Sequence, residues 1–497
     1  MTDRTVSVYT SLEEVPSDFD GFARIKNDNY RATVEGNGTS RVVHGSGPLS
    51  DRPSAADFGV GTWLSGTVLS KSDGSSWEST GSNKLSNEVA IKYTGLNAVV
   101  GGTSGATNKT HLLKLGVPGH FTGVRMVIYH HSTSADTTYK AIVATTENVT
   151  RATAAQIWEP TVGGVVYNEL DAADSLGWKS VTFAGASSVT AAAGTPARPT
   201  VTVSDRIPLQ SVPRSDGNQF PLIMARVNIS GATAEATTAS ISGGADVNVD
   251  NGGIVIQGSL IDDATGGFIT NTVGNTPNVL VGSRLITVGF IFDTVVPGIS
   301  FCTIGDSLTQ NSTAIANGWK SLGFIAALAI SKLGIPCGFS NLGSASRTMT
   351  DFTASAKAHL AVVPTNLALL QGLSPNGPVG FTTDAFARQS VLLQASMVSD
   401  LTSVVAGKNA ASIVSTSIPM AAATLPNASQ DAIRTAYNNT ILDSGRNVVD
   451  FNAVVTDGAT PERIRTDLQF DATHDNEAGI VLRAAVLTNK IKSMYGL

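Results

Sequence analysis

The chain has 497 residues, room for roughly two to four domains, and a formal net charge of −6 that gives no reason to expect a nucleic-acid or anionic-membrane partner. Charged residues make up 14%, against about 25% in typical globular domains, and 49 residues are glycine, so β-rich, tightly turned structure is favoured over long solvated helices. No apolar run reaches the roughly 18 residues of a membrane-spanning helix, and the first residues, Met1-Thr2-Asp3-Arg4-Thr5-Val6, lack the pattern of a secretory signal. The expectation is a protein made in a cytoplasm and not exported by the usual route.

Residues 1–90 are polar and turn-rich. Gly61-Thr62-Trp63 and Ser75-Ser76-Trp77 bracket Thr67-Val68-Leu69-Ser70 and the turn Ser72-Asp73-Gly74, which reads as a hairpin. From 91 to 296, short strand-like runs are separated by Gly, Asn, Asp and Pro. Val124, Met126 and Ile128 alternate with Arg125 and Tyr129, and Ile286, Val288, Phe290 and Phe292 alternate with Thr287 and Gly289. Ala141-Ile142-Val143, Ser180-Val181-Thr182-Phe183, Pro221-Leu222-Ile223-Met224 and Ile254-Val255-Ile256 are further candidates. Several such strands argue for a β-sandwich. Trp158 and Trp178 are either sugar-stacking platforms on that sandwich, which would make it carbohydrate-binding, or packing residues.

The pattern changes at Pro297. Ile299–Ile304 is a short apolar run that reads as a buried strand, broken at Gly305. Trp319, Leu322, Ile325, Ala329 and Leu333 follow helical spacing. Cys337–Gly343, Asn366–Leu370, Ser412–Ser415 and Val448–Phe451 read as strands. Asp384–Ala406 and Asp431–Leu442 read as helices, and Ile480, Ala484, Leu487 and Ile491 stripe a last one. Strands alternating with helices imply a parallel sheet covered on both faces, residues 297–497 forming one α/β/α domain. Cys302 and Cys337 fall on expected core strands and read as buried reduced thiols; a bridge between them would need neighbouring strands in matching register.

A serine at the carboxyl end of a strand lies where open α/β sheets place their ligands. A serine hydroxyl needs a base to attack an ester. Only two histidines follow residue 300, His359 and His474. His359 sits among alanines with no orienting group. His474 follows Asp471 by three residues, a spacing that lets a carboxylate hold one imidazole nitrogen while the other serves as base.

Gly305-Asp306-Ser307-Leu308 resembles the first block of the GDSL, or SGNH, esterase family, and Asp471-Ala472-Thr473-His474 its last. The resemblance implies a flavodoxin-like three-layer fold and a catalytic Ser307, His474 and Asp471. It implies an oxyanion hole from the Ser307 N–H, a glycine N–H in Asn341-Leu342-Gly343, hence Gly343, and an asparagine after the third strand. The family's further glycine falls at Ser346. Where the family shows Gly-x-Asn-Asp, this chain has Gly372-Leu373-Ser374-Pro375-Asn376, so Asn376 takes the role if the loop is longer. Asp306 reads as a brace for the turn, and Arg347 as a surface residue. The sequence has no Gly-x-Ser-x-Gly elbow, His/Cys metal cluster or phosphate loop, and hydrolysis needs no cofactor.

The arrangement Asp51-Arg52-Pro53-Ser54 and Gly61-Thr62-Trp63 is similar to β modules near the amino terminus of bacteriophage tail proteins. With the terminal esterase-like domain, the chain resembles a tail spike or tail fibre. That implies a homotrimer in the virion, an amino-terminal region that meets other tail proteins, and an O-acetylated capsule or lipopolysaccharide as substrate. Two other readings stand beside it: a non-catalytic receptor-binding tail protein that keeps the fold, and a bacterial carbohydrate or lipid esterase with an accessory domain.

Overall fold

The computed structural model describes most of residues 85–93, 108–130, 137–149, 160–167, 176–194, 199–231, 253–262, 288–310, 321–344, 349–374, 411–420, 428–443 and 447–497, with shorter strands elsewhere. The chain divides into two compact units, residues 1–84 with 489–497, and residues 85–488.

The first unit carries a seven-stranded sheet whose strands, from Ser7–Tyr9 to Trp77–Thr80, lie side by side in sequence order. Val68–Asp73 pairs antiparallel with Trp77–Thr80, Ser72 opposite Trp77, as the Asp-Gly turn suggests.

In the second unit the strands that matter are β1 (Ser86–Ile91), β2 (Asn108–Gly116), β3 (Phe121–His130), β4 (Thr138–Thr146), β5 (Leu222–Ser230), β6 (Ile254–Asp262), β7 (Val288–Gly305), β8 (Cys337–Gly343), β9 (Leu367–Leu370), β10 (Ala411–Ser415) and β11 (Val448–Val449). The helices are α1 (Ser307–Gln310), α2 (Leu322–Ser331), α3 (Met349–Val362), α4 (Ala428–Leu442), α5 (Asn452–Val455) and α6 (Glu477–Tyr495).

β4, β5, β2 and β6 are neighbours, in that order, in an antiparallel sheet. β3 belongs to a second sheet, and its buried His130 meets Tyr139 of β4, Nδ1 to hydroxyl 3.0 Å. The two sheets therefore touch at that point.

The central element is β7, 18 residues long. Its first half pairs antiparallel with β3 and β1, Phe290 lying opposite both Met126 and Ile91. Its second half pairs parallel with β8 and β9, so that Cys302 faces Ser340 and Ala368. β10 and β11 continue the parallel part. Read across, the parallel strands run β8-β7-β9-β10-β11, the 2-1-3-4-5 order of flavodoxin-like sheets. The expected division between residues 296 and 297 thus falls inside one strand. Pro297 reads as a break in the sequence, but it sits in an exposed stretch with Val295 and Val296, where a missing N–H is tolerated.

Helices cover both faces of the parallel part. Ala356, Leu360 and Val363 at α3 and Tyr437 and Ile441 of α4 pack on Cys302, Ile304, Leu342, Leu370 and Val414. α2 lies on the other face, where a side chain at Gly323 would strike Phe339 and Thr303. Of the helical stripe expected from Trp319, Leu322, Ile325, Ala329 and Leu333, Leu322 is buried and Ile325 and Ala329 are only partly so, while Trp319 lies outside the described residues. Phe324, Ala326, Ala327 and Ile330 are buried and Leu333 is 46% exposed. This helix is apolar all round, so spacing alone does not pick its inner side. Ile480, Ala484 and Leu487 of α6 are buried, as the stripe indicates. The helix expected at Asp384–Ala406 lies outside the described residues.

Cys302 and Cys337 are both buried and unbridged. Cys337 stands opposite Ile299, so the two cysteines are out of register and on opposite faces of the sheet. Burial pushes both thiols well above their ordinary pKa. Trp178 is 1% exposed, packed in a cluster with Leu112, Ile142, Ala144 and Met224 and capped by the Arg226 guanidinium, 4.8 Å from the ring. It is a packing residue and not a sugar platform. Trp158 lies outside the described residues.

Candidate active site

Ser307 follows the carboxyl end of β7 and is the first residue of α1. Glycine is needed two positions earlier, because a Cβ at Gly305 would collide with Thr309 and Gln371. The turn is braced from below. Gln371 Oε1 accepts from the Asp306 N–H (2.9 Å) and the Thr309 hydroxyl (2.6 Å). Asp306 is fully buried, accepting the Leu308 N–H on Oδ1 (2.9 Å) and the Ser374 hydroxyl on Oδ2 (2.5 Å). Burial pushes its carboxyl pKa up, against the pull of hydrogen bonds from Ser374, Leu308 and Gln371 and of the His474 charge.

His474 reaches the same point from the loop before α6. Its Nε2 lies 2.9 Å from Ser307 Oγ. Its Nδ1 lies 3.0 and 2.9 Å from the two carboxylate oxygens of Asp471. A carboxylate only accepts, so Nδ1 carries the proton. Nε2 then holds the lone pair toward which the serine hydroxyl donates. Asp471 Oδ1 also accepts the Thr473 and His474 backbone N–H groups, both at 2.7 Å. Partial burial raises the Asp471 pKa, but these bonds and the imidazole outweigh it and hold the carboxyl below its ordinary value. The three side chains thus form one hydrogen-bonded chain from hydroxyl to imidazole to carboxylate.

The loop that holds them is anchored by a pair the sequence reading did not single out. Asp475, beside His474, makes a two-pronged ion pair with Arg483 of α6, both bonds 2.7 Å, and both side chains are buried. Asn476 caps α6, its Oδ1 accepting from Ala478 (3.0 Å) and Gly479 (3.2 Å). An acidic residue eight positions before an arginine carries no periodic signal, so only the folded loop reveals the pair.

The expected oxyanion donors fare differently. The Ser307 N–H, at the first position of α1, has no acceptor within its helix. Gly343 ends β8 close by, with no room for a Cβ beside Gln310, but its N–H donates to Asn341 Oδ1 at 2.9 Å and so is engaged within its own loop. Ser374, at the family's asparagine position, is turned away to Asp306. Asn376, Ser346 and Arg347 lie outside the described residues. His359 is buried against Tyr129, Nδ1 to hydroxyl 2.6 Å, in the core beneath α3.

No protein-family model and no curated protein matches this chain. Solved structures similar to part of it are hydrolases, several of them named as GDSL or SGNH proteins. They include the family 3 carbohydrate esterase of Clostridium thermocellum, at 13% identity over 40% of this chain and 98% of that one, with TM-score 0.30. The lipase/acylhydrolase of Enterococcus faecalis is 17% identical over 39% of this chain and 94% of its own, with TM-score 0.30. A GDSL-like lipase of Bacteroides thetaiotaomicron VPI-5482 is 13% identical over 39% and 87%, with TM-score 0.29.

Proposed function

We propose that the protein is a serine esterase of the SGNH type. The observation that carries this is the Ser307–His474–Asp471 chain at the carboxyl edge of a parallel sheet. Ser307 Oγ attacks an ester carbonyl as His474 Nε2 takes its proton. Asp471 holds Nδ1–H and stabilises the imidazolium. The tetrahedral oxyanion is met by the Ser307 N–H, by Gly343 once Asn341 releases it, and by a donor from the third loop such as Asn376. His474 returns the proton to the leaving alcohol. Water, activated by the same imidazole, then frees the acyl group from Ser307.

The finer reading is an O-acetyl esterase acting on polysaccharide of a bacterial surface, carried as a homotrimer in a phage tail with its first β-rich region meeting other tail proteins. The weakly charged, glycine-rich composition and the tail-like motifs near residue 60 favour it. In this reading residues 1–90, 91–296 and 297–497 attach, bind or space, and hydrolyse. The other reading is a tail protein that binds glycan without cleaving it. The engaged Gly343 N–H and the serine at 374 favour that alternative.

The test is release of acetate from a chromogenic ester and from acetylated bacterial polysaccharides, by the parent and by Ser307→Ala. An active parent and a silent variant place the nucleophile. A parent inactive on all of them overturns the esterase reading in favour of binding. Sedimentation at about three times the chain mass, against one, decides the trimer.

A further inference from the structure

Residues 92–95 follow β1, well before the hydrolase-like region in sequence. Lys92 leaves β1 and joins the open edge of β8 instead. Its N–H donates to the Phe339 carbonyl (2.8 Å), and its own carbonyl accepts the Asn341 N–H (2.7 Å). Asn341 is the residue whose side chain engages the Gly343 N–H and donates to the Gln310 carbonyl, 3.1 Å away at the end of α1. One short link therefore joins this early segment to the end of α1 and to the Asn341–Gly343 turn. The Lys92 side chain tightens the link. Its Nζ donates to the Gly95 carbonyl at 3.0 Å and lies 4.8 Å from the centre of the Tyr129 ring. Gly95 in turn rests on the site: a Cβ there would lie 2.6 Å from Gln310 Cγ and 3.0 Å from the Gly343 carbonyl. Tyr93 completes the contact by packing edge-on against Phe324 of α2, centroids 5.3 Å apart.

We propose that Lys92 is a positioning residue for the glycine loop beside Ser307, acting through Gly95 and Asn341. This deepens the esterase reading and rests on it. Its physical rationale is that a buried ammonium is a poor choice for stability. Lys92 is 1% exposed, and burial pushes its pKa down to about 7. A methionine would fill the same space without that penalty. An amine kept in such a place, holding the carbonyl of a glycine that has no room for a Cβ beside Gln310 and the Gly343 carbonyl, is better explained by where it puts the loop than by what it adds to the core.

The experiment compares full-length parent, Lys92→Met and Gly95→Ala. The readouts are kcat and KM on a chromogenic acetate, thermal unfolding, and hydrogen–deuterium exchange of peptides covering 339–344. For Lys92→Met the expected result is an unfolding temperature equal to or above that of the parent. With it come a kcat lower by about tenfold, a KM within about twofold and exchange faster by about tenfold in that peptide. A Lys92→Met protein with parental kcat and parental exchange overturns the proposal. So does a kcat that falls only in step with lost stability. If Lys92→Met does not fold, Gly95→Ala decides by the same readouts, since its methyl presses on the Gly343 carbonyl directly. If the parent hydrolyses nothing, the esterase reading falls, and exchange alone decides the link: faster at 339–344 upholds it, unchanged overturns it.

Discussion

Replacing Arg483 with methionine is the sharpest test of how the loop that carries His474 is held. Both members of the Arg483–Asp475 pair are nearly inaccessible, with side-chain exposures of 3% and 1%, and both bonds are 2.7 Å. Removing the guanidinium leaves a carboxylate in the interior with its charge uncompensated, a loss of about 3–5 kcal/mol. That is a large share of the roughly 5–15 kcal/mol that holds a domain together. Removing both charges, with Asp475→Leu added, restores most of it, because the desolvation cost of the pair disappears with the pair; the double variant is expected within about 1–2 kcal/mol of the parent. Urea unfolding, followed in parallel by fluorescence and residual hydrolysis of a chromogenic ester, compares the parent with the two variants. Asp475 adjoins His474, so a loop released from its anchor also moves the base. A shift of about 1 Å is enough to lower kcat by roughly 10²-fold, with KM little changed. An Arg483→Met protein within about 1 kcal/mol of the parent would refute the reasoning, as would a double variant no better than the single.

Substitutions at Asp471 and Trp178 carry further expected outcomes. Asp471→Asn keeps the shape but can donate to Nδ1 and so favours the wrong tautomer; kcat is expected to fall by roughly 10³–10⁴ on a chromogenic acetate. In the parent the folded Asp471 pKa lies below its unfolded value, so its contribution to stability is present above the ordinary carboxylate range and lost as pH falls through the folded value. Denaturant midpoints of parent and variant should therefore converge as pH is lowered below about 4. Trp178→Ala should cost about 3–5 kcal/mol, measured by urea unfolding, because the indole is enclosed against the β4-β5-β2-β6 sheet. Its affinity for acetylated glycan at temperatures where it is folded should match that of the parent.

Ser307, Asp471 and His474 were legible because each carries a local sign: a strand that breaks at a glycine, and a carboxylate three residues before an imidazole. The structure brings those three together. What the sequence could not show is pairing across distance. Ser374 is bound to Asp306, and Asn341 is held by Lys92, through contacts that only the folded sheet creates. The engagement of the Gly343 N–H by Asn341 is a two-residue turn that no hydrophobic period reports. The buried side of α2 was hidden for the opposite reason: with nearly every position apolar, several stripes fit equally well.

The same limit explains the apparent boundary at Pro297. Alternation from Val288 to Phe292 and a continuous apolar run from Ile299 to Ile304 read as two strands of two domains. They are the two halves of β7. The first half is paired antiparallel and the second parallel, and the change of partner changes the pattern. A strand continuous through that change transmits position: where β1 and β3 fix its first half, they also fix the register at which Gly305 delivers Ser307. Substitutions at the antiparallel end, such as the contact of Phe292 with Phe121 at 4.8 Å between centroids, therefore bear on the geometry of the site as well as on the packing beneath it.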